Sequence, residues 1–251
     1  MIVGQKGSVF VTGSDMKNNA GNGTEPFRER FPYESHYFNV GPGCLHYIDE
    51  GTGPVLLLLH ACPMWSYSFR HIIAEYSKCF RVIAIDQMGF GLSDKPERCD
   101  YHLEGHVDNL ENFVRKLDLK DIVFIMHGRG ATIGTAFATR HPELVRGFVI
   151  LNSMAFSDYS LPFRLQICRI PWIGAKLIMR LNFFTRDLCK MPPEIVSDYL
   201  YPYKNLNDYL PLLRFIEDIP CMPEDDSAKI MYEIESSMWL LRDKPGCIIW
   251  A

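Results

Sequence analysis

No stretch of this chain is long and apolar enough to suggest a membrane span. The longest uncharged apolar run, Val55 to Trp65 interrupted by His60, is about half the ~20 residues a span needs. Cys-x-x-Cys is also missing: the eight cysteines lie scattered at 44, 62, 79, 99, 168, 189, 221 and 247. That spacing argues against a zinc site or a redox pair and points to buried free thiols in a reducing compartment. There is no excess of positive charge, with 26 basic against 30 acidic residues and a net charge of −4, so nucleic acid is not an expected partner. The N-terminus has a weak apolar patch (Val9–Val11) but no cleavage site, which argues against a secretory signal and for a cytoplasmic location. Histidine is absent after His141: all eight, at 36, 46, 60, 71, 102, 106, 127 and 141, come earlier.

What is present is ordinary globular composition, 47% apolar and 22% charged over 251 residues, enough to bury a large core. Residues 1–26 read as a flexible tail, rich in Gly, Asn and polar residues without periodicity. His36–Val40 and Cys44–Asp49 around Gly41-Pro42-Gly43 predict a β-hairpin. Val55–His60, Phe80–Asp86, Ile122–His127 and Val145–Leu151 predict strands, alternating with helices near 67–77, 103–117 and 130–140. Such alternation means a parallel sheet covered on both faces. From about Ser157 to Leu241 only helical periodicity remains, and a short strand follows at Gly246–Trp250. The expected organisation is an α/β core over 27–156, a helical cap with its return helix over 157–243, and a resumed core strand over 244–251.

The most informative segment is Ile122–Arg140. A buried strand ends in His127-Gly128-Arg129-Gly130 and passes at once into a helix of small residues. This is the layout of a nucleophile elbow, a strand-to-helix turn that lifts a Ser, Asp or Cys clear of the sheet. Its centre is Gly128, which has no side chain with which to attack. Upstream, His60-Ala61-Cys62-Pro63 ends the first buried strand, and the loop Asp86–Pro96 ends the next.

These segments, with Arg146–Asn152, resemble the α/β-hydrolase fold in its haloalkane dehalogenase-like branch. The likeness is closest to the β-lactone decarboxylases of long-chain olefin biosynthesis, through Phe27–Tyr37, Leu151–Phe156, Arg214–Pro220 and Pro245–Ala251. The resemblance implies a covalent Asp nucleophile at the elbow, and a His oriented by an acid to activate water. Carried over by position, the nucleophile is Gly128, the Trp that follows it is Arg129, and the Asn of the His-Gly-Asn-Pro motif is Cys62. One branch places its acid where this chain has Asn152. The other acid position, and the catalytic His, fall beyond Ala251, so the last strand and C-terminal helices are expected to be missing. No catalytic residue is intact on this reading.

Cys62 and Arg129 remain as oxyanion or anion-site positions, Arg129 because a helix N-terminus already favours negative charge. His60, His127 and Gly130 are expected to shape the elbow and its facing loop. No cofactor and no metal are expected. A rival reading is a nucleotide-binding domain through Gly128-x-Gly130-x-x-x-Gly134, which lacks the acidic residue expected where Asn152 stands. The cap segment Pro162–Phe184 mixes apolar residues with arginine and lysine; lining an apolar cleft is the preferred reading, a membrane-surface helix the other. The function that follows is an inactive fragment or pseudoenzyme of the family, built to hold an apolar, long-chain molecule. The alternative is a non-catalytic binder of an apolar ligand or a partner enzyme, with a protein partner covering the truncated sheet edge. A decayed or misread gene product would leave the same sequence.

Overall fold

The computed structural model describes residues 16–18, 25–153, 162–170, 172–180 and 191–250. The remainder of the expected tail, the expected core-to-cap boundary at 156/157, the Met154–Phe156 end of the family-like stretch and the cap residues 181–190 lie outside the described residues.

Among the described residues eight strands form one sheet: β1 (Met16–Asn18), β2 (His36–Asn39), β3 (Cys44–Glu50), β4 (Val55–Leu59), β5 (Arg81–Ile85), β6 (Ile122–His127), β7 (Val145–Leu151) and β8 (Gly246–Ile249). Their order is β1-β2-β3-β5-β4-β6-β7-β8. The β1–β2, β2–β3 and β3–β5 pairs are antiparallel, and every pair from β5 through β8 is parallel. β4 reads as an unbroken apolar run because both its faces are covered. Leu57 and Leu59 join one core cluster with Phe113, Phe124 and Phe137, while Leu56 and Leu58 join another with Phe27, Trp65 and Ile73.

The helices are α1 (Arg70–Tyr76), α2 (Leu103–Lys116), α3 (Arg129–Arg140), α4 (Phe163–Cys168), α5 (Ile173–Ala175, continued as one π-helical stretch Lys176–Arg180), α6 (Pro193–Leu200), α7 (Leu210–Glu217) and α8 (Asp226–Ser237). α2 buries Leu103, Val107, Leu110, Phe113 and Val114, the stripe that its periodicity predicts.

Two expectations need correction. Met16–Asn18 falls inside the expected tail but pairs with β2, Lys17 opposite Tyr37. Three residues on a sheet edge need no alternating pattern, because the backbone ladder alone holds them. The thiols are also less buried than expected: Cys168 is buried, but Cys79 and Cys247 are exposed.

Three buried carboxylates position the loops around the sheet's C-terminal end. Asp86 accepts the backbone N–H groups of Ser66 (2.6 Å) and Leu92 (2.8 Å), and its Oδ2 lies 2.8 Å from His46 Nδ1. The His46 ring continues through Nε2 to Ser35 Oγ at 3.0 Å, which accepts from the Arg28 guanidinium at 2.9 Å. Burial alone would raise the Asp86 pKa, but the facing His46 and the donated hydrogen bonds outweigh it and hold the carboxyl below its ordinary value. Asp198, on α6, takes Arg30 in a two-pronged pair (2.6 and 3.0 Å) and the Tyr67 hydroxyl (2.6 Å). The third, Asp218, belongs to the candidate site.

Candidate active site

β6 delivers the chain to Gly128, which turns it directly into α3. Gly128 has φ 53° and ψ −130°, a sharp strand-to-helix turn in the region that side chains resist and glycine adopts freely. The turn is pinned on both sides. Gly128 N–H donates to the Leu151 carbonyl at 3.1 Å, and its own carbonyl accepts from Ala131 N–H at 2.9 Å and Ser153 Oγ at 2.7 Å. The elbow is therefore built, without a nucleophile on it.

Gly130 serves packing. A Cβ there would stand 2.5 Å from the carbonyl oxygens of both Leu59 and His60, so only glycine lets α3 approach β4 this closely. Gly134 likewise faces Met126 Sδ. These glycines let the helix seat closely on the sheet.

The His60 tautomer is fixed by its neighbours. Nε2 lies 2.9 Å from the Gln87 backbone N–H and must accept, while Nδ1 lies 2.9 Å from the Ala61 carbonyl and must donate. Burial lowers its pKa, consistent with a neutral ring whose two nitrogens are both occupied. His60 thus ties the end of β4 to the Asp86 loop, and it has no nitrogen left to act as a base. His127 points to the sheet face shared by Val123 and Ile125, half-buried, with its pKa also lowered by burial. His106, which sequence reasoning did not single out, presents its ring to Phe215 at 5.1 Å. Burial first, and then the charge of Arg129, push its pKa down to about 3, so it is neutral.

Cys62 is half-buried, and desolvation pushes its thiol pKa well up against the opposing pull of Arg129. It is a neutral thiol, poorly suited to attack or to anion binding. Arg129 already has an anionic partner within the chain, while its buried Nε has no hydrogen-bond partner among the described residues. Its guanidinium donates to Asp218 Oδ2 at 3.0 Å and lies over the Phe215 ring, 4.8 Å from the centroid. The anion that its position calls for is supplied by the chain itself. Asp218 also accepts from His102 Nδ1 (2.6 Å), Leu103 N–H (2.9 Å) and Ser227 Oγ (2.6 Å), and so joins the N-terminal ends of α2 and α3 to α7 and α8. Asn152 closes β7 with φ 39°, its N–H donated to the Ile249 carbonyl at 3.0 Å.

Sequence reasoning passed over Ala61. A Cβ placed on Gly128 would stand 2.8 Å from Ala61 Cβ, closer than real Cβ contacts allow. Ala61 occupies the glycine position of the His-Gly-Asn-Pro motif, and that departure was a readable signal. Among the described residues no three His, Cys, Asp or Glu side chains gather as a metal site. Nor is any described helix long and apolar enough to cross a membrane.

Residues 54–177 match the family model of the alpha/beta hydrolase fold, and the elbow, the sheet order and the helical cover are those of that class. The chain belongs to the α/β-hydrolase fold family. It is 32% identical over 232 residues to a cis-3-alkyl-4-alkyloxetan-2-one decarboxylase of Shewanella oneidensis, an alignment covering 87% of this chain and 73% of that one. It is 34% identical over 165 residues to haloalkane dehalogenase 2 of Mycobacterium tuberculosis, covering 65% of this chain and 57% of the relative. Among solved structures, a putative ancestral haloalkane dehalogenase superposes with a TM-score of 0.75 at 27% identity, over 85% of this chain and 80% of the other. The resemblance to decarboxylases is therefore one of sequence, and that to haloalkane dehalogenases one of sequence and of fold.

Proposed function

We propose that the protein holds an apolar, long-chain small molecule beneath its cap and does not transform it through a covalent intermediate at the elbow. The observation that carries this reading is Gly128: the turn that should present a nucleophile is formed and hydrogen-bonded on both sides, and has no side chain. Three features nearby support it. His60 has both nitrogens engaged, Cys62 is held as a neutral thiol, and Arg129 is paired with Asp218. The ligand class is supported by the relatives, whose named substrates are oxetan-2-ones bearing two alkyl groups, and haloalkanes. The cysteines described are free thiols, which suits a reducing cytoplasm.

The test is to incubate the purified protein with a long-chain 1-bromoalkane, and separately with a cis-3,4-dialkyl β-lactone, following binding by calorimetry and the protein by intact mass. Saturable binding with unchanged protein mass and no released halide or alkene is the expected result. A stoichiometric alkyl adduct, product release, or no binding of either compound overturns the reading.

A second reading concerns β8, at one end of the strand order, where Ile248, Ile249 and Trp250 are exposed. An edge strand of this kind can accept a strand from a protein partner. Light scattering on the purified chain tests it, since an unchanged monomer in the presence of candidate partners speaks against it.

A further inference from the structure

The cap hairpin formed by α4 and α5 is apolar on two sides. Inward it buries Cys168, Gly174 and Ile178. Outward it presents Phe163 (74% exposed), Ile170 (45%), Trp172 (90%) and Ile173 (47%). Large apolar side chains gathered on a surface mark an interaction site rather than ordinary surface. Trp172 also has φ 66°, a backbone state that a bulky side chain adopts only when its surroundings impose it.

Charge identifies the partner. The hairpin sequence, 162–180, contains Arg164, Arg169, Lys176 and Arg180 and no acidic residue, although the whole chain carries −4. Arg164 and Lys176 are exposed on the hairpin itself, while Arg169 is turned inward to the Ile219 carbonyl. We infer that this hairpin docks on the surface of an anionic lipid bilayer, with Trp172 and Phe163 inserted at the headgroup level and the exposed Lys176 and Arg164 on the side of the phosphates. An aromatic and aliphatic crown beside basic residues is the composition that binds such interfaces. A second copy of the chain is the poorer occupant, because a two-fold interface would set this acid-free basic segment against itself. The inference does not depend on what the elbow does, since it concerns the outer face of the cap.

The experiment is co-sedimentation of the full chain with vesicles of phosphatidylcholine alone, and of phosphatidylcholine with about a third phosphatidylglycerol, at low and at ~0.5 M salt. The expected result is recovery with the anionic vesicles only, lost at the higher salt. The Phe163→Ser/Trp172→Ser pair should cut partitioning at least tenfold, and Lys176→Glu about fivefold or more. Circular dichroism of these variants should match the parent, because the substituted side chains are exposed. No recovery with anionic vesicles, equal recovery with both kinds, or recovery indifferent to the double substitution would each overturn the proposal. So would a dimer of the parent that the double substitution converts to monomer.

Discussion

Ala61 and Gly128, 67 positions apart in the sequence, are steric complements: a Cβ on Gly128 would fall 2.8 Å from the Ala61 methyl and 3.4 Å from the Ala61 Cα. The absence of a nucleophile is therefore expressed at two places. Gly128→Ala should lower the melting temperature through the backbone strain at φ 53° and through the Ala61 contact together. Only the second part responds to Ala61→Gly. The four proteins of the cycle should therefore show a favourable coupling of about 1 kcal/mol, or ~2–4 °C for a chain of this size. Additivity to within ~0.3 kcal/mol would mean that the loop yields freely and that the two residues are not matched. Gly128→Asp alone should produce no hydrolytic turnover, because His60 at the facing loop has both ring nitrogens engaged and cannot activate water; halide release from a bromoalkane checks it.

Removing the buried carboxylate beneath the neighbouring loop should be costly. Asp86 accepts from the Ser66 and Leu92 backbones and faces His46, so Asp86→Ala leaves several buried donors without their acceptor. Breaking one side of such a buried network costs roughly 3–5 kcal/mol. Asp86→Asn keeps the shape and one acceptor oxygen, and should cost less. Equilibrium unfolding in urea separates the two variants. If Asp86→Ala cost no more than a surface substitution, the loop would be held by other contacts.

What the sequence showed and what it hid divide along physical lines. Strand β4 was legible because a strand buried on both faces must be apolar at every position, β5 to β7 because most of their positions are apolar, and the α2 stripe because one face of a helix meets the core. The elbow was legible because a strand ending in Gly128-Arg129-Gly130 before a run of small residues has few other solutions. β1 was not legible, because three backbone-paired edge residues leave no pattern. Nor was the role of Arg129. Its partner Asp218 lies 89 residues away across the cap, and no local spacing announces a contact of that range. Ala61 was visible only as a small departure from a motif, and acquires meaning when Gly128 is seen beside it.

The thiols should rank by environment. Desolvation raises the Cys62 pKa, whereas Cys79 and Cys247 are exposed. Under limiting iodoacetamide at neutral pH, peptide mapping should find Cys79 and Cys247 alkylated first, and Cys62 slower by tenfold or more. Preferential labelling of Cys62 would show a thiolate at the candidate site and would reopen nucleophilic chemistry there.

The latch at Asp218 should give stability a pH dependence of definite sign. Its carboxylate accepts from His102 Nδ1 at 2.6 Å, and that hydrogen bond raises the His102 pKa above its ordinary 6.5. A raised folded-state pKa means that the contribution of His102 is fully present below about pH 6.5 and fades as pH rises through the folded-state value. Because the His102 side chain is 61% exposed, water screens the pair, and the contribution stays below about 1 kcal/mol. His102→Gln should therefore lower the melting temperature by a few degrees at ~pH 6 and by almost nothing at ~pH 9. Asp218→Asn behaves differently, since Arg129, Leu103 N–H and Ser227 lean on the same carboxylate whether or not His102 is charged. Its destabilisation should persist across the whole range. Melting curves of the parent and both variants over this pH interval decide the matter: an equal loss for His102→Gln at both ends would show packing, not charge, to be what His102 supplies.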